Sequence, residues 1–238
     1  MHDPARPERV MARKTEEQDR DESSAAPAAD VAGADAPAAE APPAGAKAAR
    51  TPRRPRVAAA AADPAVDDAL AEKLERAAAL AESGAHGDAA EAYAAVVAVR
   101  ADSVPALVGL GNALAAQGKF EAAEKELRRA EKLAPDDPAV LLQLGATLVK
   151  RGNWSAAATT LRRVVELDPD LGAAYVLLGE ALNQMAESDA AIEVLEAAVR
   201  IQPESSKAYY AMGIAYDRKG NPDRAAEMYR LSRDVASR

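Results

Sequence analysis

The sequence predicts an all-α protein made by stacking helical hairpins, and three observations carry that prediction. The first is a period. Shifting the chain by 34 residues superimposes Gly111 on Gly145, Gly179 and Gly213, Ala123 on Ala157, Ala191 and Ala225, and Pro135 on Pro169 and Pro203, and recurrence at a fixed interval of this size marks an array of like units. The second is the spacing inside each unit. Leu107, Leu110 and Leu114 fall three and four apart, as do Phe120, Ala123, Leu127 and Ala130, so both halves read as amphipathic helices. The third is punctuation. Gly118, Gly152 and Gly220 occupy the break between the halves, where a left-handed residue is easiest for glycine, and the recurring prolines close each unit because proline cannot continue a helix. A single hairpin cannot bury its own apolar face, so neighbours must stack.

The slots Leu107, Leu110, Gly111, Leu114, Ala123, Leu127 and Pro135 resemble the pattern of the tetratricopeptide repeat family. The fold that follows is a right-handed α-solenoid of five stacked helix-turn-helix repeats, preceded by a disordered N-terminal arm. Gly111 and Ala123, with their copies, fall where two helix backbones come close. A larger side chain there overpacks the hairpin, and Gly145 is expected to face Ala157.

Taken in order, residues 1–62 are rich in Ala, Pro, Asp and Glu and carry almost no large apolar side chains. Such a segment buries too little surface to offset the entropy of ordering and is expected to be disordered. Its charge is segregated: residues 16–40 hold eight acids against Arg20, whereas 47–56 hold Lys47, Arg50, Arg53, Arg54 and Arg56 and no acid. Met11 offers an alternative start to Met1. Asp63-Pro64 reads as an N-cap followed by proline at the first helical position, so the folded part is expected to span 63–238. The first repeat, 70–103, is degenerate: it keeps Gly84, Ala89 and Tyr93 but has Arg76 for leucine, Ala77 for glycine and Ala101 for proline. The next three run 104–137, 138–171 and 172–205, with caps such as Asp137-Pro138. The fourth places Ala186 where the inter-helix glycine belongs, and Ser188 where Phe120 and Trp154 sit. The fifth, 206–238, carries Arg233 in place of Val165 and Val199, so its last helix is expected to cap the stack.

Composition narrows the function. The formal charge of −8 argues against a general polyanion binder and favours basic partners. No cysteine is present, which removes disulfides, thiol nucleophiles and thiolate metal sites. His2 and His86 are the only imidazoles; His86 falls in an inter-helix turn with no ligand set in register, so no cofactor is expected. No apolar run is long enough to span a bilayer and no signal-type segment opens the chain, making a cytoplasmic location the default. The glycines of Gly109-x-Gly111 lie inside a helical pattern with no preceding strand, which reads as helix packing and not as a phosphate loop. Acidic residues of the second helices, such as Glu124 with Arg128, read as a solvated outer face with i to i+4 pairs. Tyr93, Tyr175, Tyr209, Tyr216 and Tyr229 occupy core slots, and Trp154 reads as packing between hairpins.

The resemblance implies that the first helices line a concave groove. The candidate peptide-binding residues are then Val108, Asn112, Leu142, Ala146, Lys150, Val176, Glu180, Asn183, Gln184, Lys207, Tyr210, Ile214, Asp217 and Arg218. Polar groups gather towards the C-terminal end of this set. Chaperone-binding members clamp a peptide carboxylate with Lys and Asn; the corresponding slots here are Val108, Asn112, Gln143, Ala173 and Leu177, and only Asn112 fits, so that activity is not expected. The resulting expectation is a non-enzymatic scaffold that binds a peptide or protein. One alternative is an adaptor to nucleic acid or an anionic membrane surface through the basic stretch, which lacks interleaved aromatics for stacking on bases. Another is a regulatory subunit of an enzyme.

Overall fold

The computed structural model describes residues 64–238, which form ten helices joined by short turns and contain no strand. The expected disordered arm, with its acidic and basic blocks, lies outside the described residues. The helices pair in chain order: α1 (Pro64–Glu82) with α2 (His86–Val99), α3 (Val104–Ala116) with α4 (Phe120–Leu133), α5 (Pro138–Arg151) with α6 (Trp154–Leu167), α7 (Gly172–Gln184) with α8 (Ser188–Ile201), and α9 (Ser206–Arg218) with α10 (Pro222–Ala236). From α3 onward the first helices begin 34 residues apart, and all five second helices keep the same interval. Helix α1 departs from that register. It has 19 residues against 13 or 14 in the other first helices, because it starts at Pro64.

Local chemistry sets the helix ends. A helix leaves its first N–H groups without internal partners, and Asp137 Oδ1 accepts from the amides of Ala139 and Val140 at 2.9 and 3.4 Å. Ser103 and Ser205 accept likewise from Ala106 and Ala208. Between helices, Gly118, Gly152 and Gly220 adopt φ of +76°, +79° and +75°, and Ala186 adopts φ of +60° in the corresponding position of the fourth hairpin. An L-residue with a Cβ is strained there. Ala186→Gly is therefore expected to stabilise the protein by about 0.5–1 kcal/mol, read as a raised melting temperature; an unchanged or lowered value would show that the turn carries no strain.

Each helix packs on the next, and each first helix also touches the first helix of the following repeat: α1 on α3, α3 on α5, α5 on α7 and α7 on α9. Among the described residues the backbones of successive second helices do not come close. The first helices therefore converge along the inner wall of a curved stack, and the fold is a right-handed α-solenoid of five repeats.

Within each hairpin, a glycine on the first helix receives a large side chain from the second. A Cβ on Gly111, Gly145 or Gly179 would lie 2.6, 2.7 or 2.4 Å from Leu127, Leu161 or Leu195, and all three leucines are fully buried. The neighbour of Gly145 is thus Leu161 and not the expected Ala157. Helical side chains lean towards the N-terminus, so the leucine one turn beyond the alanine covers the opposite glycine. Gly109 makes a similar approach between repeats, where a Cβ would meet the Tyr93 ring at 2.3 Å, which accounts for both glycines of the Gly109-x-Gly111 pair as packing residues.

Ion pairs link one repeat to the next. Arg163 of α6 reaches Asp136 at 2.9 Å and Glu131 at 3.6 Å, and Lys219 reaches Asp189 at 2.5 Å. Another acid departs from expectation. Glu124 is not on a solvated face: it is 8% exposed, accepts from Arg128 Nε at 2.9 Å and also from Arg151 Nη1 of the following repeat at 2.5 Å. The i to i+4 spacing revealed the first contact, and the second comes from stacking.

Candidate functional site

Three successive first helices, α5, α7 and α9, frame the C-terminal half of the inner wall. Between them lies a hollow of about 490 Å³ lined by Val149, Trp154, Glu180, Asn183, Gln184, Ser206, Lys207, Tyr210, Ala211, Ile214 and Ser232. A neighbouring hollow of about 400 Å³ is lined by Ala146, Val149, Lys150, Ala173, Val176 and Leu177, among others, and shares Val149, Glu180 and Lys207 with the first. The two hollows adjoin along these shared side chains and make a groove.

The aromatic wall is held from behind. Tyr210 is 57% exposed, and its ring centroid lies 5.6 Å from that of Tyr229 with the planes at 51°, a tilted pair of favourable geometry. Tyr229 occupies the core slot opposite Gly213, where a Cβ would come within 2.4 Å of its ring. Its hydroxyl donates to Asp217 Oδ2 at 2.7 Å. Burial and that acceptor push the Tyr229 hydroxyl pKa up to about 12. Asp217 is thereby committed to Tyr229, and Tyr229 backs the ring of Tyr210.

The floor is polar and incompletely satisfied. Asn183 is 2% exposed, so the structure places it beneath the groove surface, unlike the more open groove residues. Its Nδ2 donates to the Ala211 carbonyl at 2.8 Å, joining α7 to α9, while its buried Oδ1 has no partner among the described residues. Glu180 is half-buried, and burial raises its pKa, opposed by the charge of Lys207. Among the described residues, no ion pair engages Glu180, Lys150 or Arg218.

The structure brings Ala146, Lys150, Val176, Glu180, Asn183, Gln184, Lys207, Tyr210 and Ile214 to the two hollows. Val108 and Asn112 lie on α3, and Leu142, Asp217 and Arg218 line neither hollow. Lys47, Arg50, Arg53, Arg54 and Arg56 fall outside the described residues. Trp154, expected to pack between hairpins, is half-buried on the wall of the larger hollow; its place as the first residue of α6 was legible, but its neighbour across the groove was not. His86 opens α2, and its carbonyl accepts from Gln117 Nε2 at 2.8 Å. No cluster of His, Asp or Glu suited to a metal ion occurs among the described residues.

Two tetratricopeptide repeat family models match the chain, one over residues 80–146 and the other over 142–206 and 184–234. The chain belongs to the tetratricopeptide repeat family. Solved structures of this family share its fold. A crystal structure of MamA is 26% identical, with a TM-score of 0.62 over 68% of this chain and 94% of that one. MamA from Desulfovibrio magneticus RS-1, beginning at its residue 41, gives 24% identity and a TM-score of 0.66 over 71% and 95%. YrrB, described as a TPR protein with an unusual peptide-binding site, gives 23% and 0.60 over 68% and 84%. No curated protein matches the chain. Among the described residues of this TPR protein, no helix is long and apolar enough to cross a membrane.

Between the copies within this chain the packing slot repeats as Gly111, Gly145, Gly179 and Gly213, whereas the neighbouring inner-wall slot changes from Asn112 to Ala146, Glu180 and Ile214. Core slots such as Gly145 and Leu161 serve the hairpin, whereas Glu180 and Tyr210 sit on the inner wall and are released from that duty. Function resides in such sites and not in the fold.

Proposed function

We propose that this TPR protein is a non-enzymatic scaffold that holds a peptide or protein segment in the concave groove along α5, α7 and α9. The observation that carries the reading is the aromatic wall: Tyr210 stays exposed although it is braced by Tyr229, and it borders a hollow that also contains Trp154. Exposed, preorganised aromatic rings supply large contact area with little ordering entropy, and such rings dominate binding energy at protein interfaces. Hollows with apolar walls and a few polar groups suit an extended or helical segment oriented by its side chains. Support also comes from the family, whose members act through protein contacts, and from YrrB, a peptide-binding fold neighbour.

Lys150, Gln184 and Arg218 recur at 34-residue intervals on successive first helices and are all exposed. They form a rim that can orient an acidic side chain or a free carboxylate flanking the buried part of the segment. The experiment is affinity capture with the full chain, followed by binding measurements on each captured protein using groove variants. Tyr210→Ala is expected to weaken binding roughly tenfold or more at every salt concentration. Lys150→Glu combined with Arg218→Glu is expected to weaken it chiefly at low ionic strength, where exposed charges are least screened. Captured proteins that bind all three forms equally well would refute the groove as the site.

A further inference from the structure

We propose that the larger hollow of the groove receives a basic side chain, an arginine guanidinium, from the bound segment; this rests on the groove reading above. Four side chains set its chemistry. Asn183 lines the hollow from beneath: its Nδ2 donates to a backbone carbonyl of α9, and its Oδ1, shielded from solvent, has no donor among the described residues. Native structures seldom leave such a group unpaired, and one that persists beside a cavity points to a ligand that supplies the donor. Glu180, on the same helix three residues earlier, is a half-buried carboxylate with no ion pair among the described residues. Burial disfavours its charge, and an incoming cation would restore it. Lys207 lowers the Glu180 pKa through its charge but makes no contact short enough to be an ion pair, and its side chain is exposed at the rim. It is therefore free to move aside into water.

The remaining two side chains are Trp154 and Tyr210 on the cavity wall. An aromatic face attracts a cation through its quadrupole, most strongly in tryptophan. A guanidinium meets all of these needs at once, because it is planar, permanently charged, weakly hydrated and carries five donors in a fixed fork. An ammonium carries three donors, but it is a strongly hydrated point charge without the planar face that stacks on an aromatic ring or the fixed fork that spans two acceptors. An acidic side chain would leave Asn183 unsatisfied and be repelled by Glu180. The chain's net charge of −8 adds long-range attraction for a basic segment. The cationic rim then contacts residues flanking the arginine, outside the hollow.

Trp154 is the single tryptophan of the chain, so its emission reports on this cavity directly. The full-length protein is titrated with three acetylated, amidated pentapeptides: Ala-Ala-Arg-Ala-Ala, the same peptide with neutral citrulline, and the same with glutamate. The arginine peptide is expected to change the emission saturably, on the order of millimolar for so small a ligand, and the other two to bind at least roughly fivefold more weakly. Glu180→Gln, which keeps the size of the side chain, is expected to remove most of the preference for arginine over citrulline. Equal responses to arginine and citrulline, preference for the glutamate peptide, no response to any of the three, or an arginine preference unmoved by Glu180→Gln would each overturn the proposal. If captured proteins still depend on Tyr210 while the arginine peptide shows no preference, the groove reading stands and the guanidinium pocket falls.

Discussion

Gly145→Leu is expected to destabilise the protein by about 1–3 kcal/mol, lowering its melting temperature by roughly 2–4 °C per kcal/mol for a chain of this size. Even a bare Cβ at this position would sit 2.7 Å from both Cγ and Cδ2 of Leu161. Leu161 is fully buried in a core cluster that includes side chains of the adjoining helices α5 and α7, so it has nowhere to retreat, and the two helices of the hairpin must separate. The gain in helix propensity from replacing glycine, about 1 kcal/mol, offsets only part of the strain. The contact is tested by a double-mutant cycle. Leu161→Ala alone opens a cavity and costs roughly 2–5 kcal/mol, but in the Gly145→Leu background it makes room for the new side chain. The double variant is expected to be more stable than the sum of the two single losses. Strict additivity would show that the residues are not opposed, and an unchanged melting temperature for Gly145→Leu would refute the assigned packing outright.

The elements that repeat were legible in the sequence because their causes are local. Asp137 followed by Pro138 announced a cap that the side chain indeed makes, and glycines 34 residues apart announced turns with positive φ. The glycine-to-leucine packing was half legible: the need for a small residue at Gly145 followed from the pattern, but the identity of the facing side chain depended on how side chains lean across a helix pair. The groove wall was legible as a set of slots, and Tyr210 stood out because it fell one residue past a core position. What stayed hidden involves two repeats at once. The hydrogen bond from Asn183 to Ala211, the orphaned Oδ1, and the meeting of Trp154 with Tyr210 around one hollow all depend on the angle at which one hairpin stacks on the next. No periodicity within a single unit encodes that angle.

Glu124→Gln is expected to destabilise the protein by about 1–2 kcal/mol near neutral pH, although its sequence position reads as outer surface. The carboxylate is nearly buried and accepts from two guanidiniums, Arg128 on its own helix and Arg151 on the next repeat. Removing one partner of a buried pair costs roughly 3–5 kcal/mol; here the Arg128 and Arg151 side chains remain 48% and 37% exposed, so water rescues them and the loss is smaller. The effect has a definite pH dependence. Burial alone would raise the Glu124 pKa, but the hydrogen bonds and charges of Arg128 and Arg151 outweigh it and hold the carboxyl below its ordinary value. A group whose pKa is lower when folded than when unfolded contributes its full stability above the unfolded pKa and loses it as pH falls through the folded one. The stability gap between wild type and Glu124→Gln should accordingly be constant above about pH 5, where the unfolded carboxyl is ionised, and should narrow on acidification below that range. Denaturant titration of both proteins across this interval measures the gap, and a difference that stays constant or widens towards acid would show that the two arginines do not stabilise the ionised form.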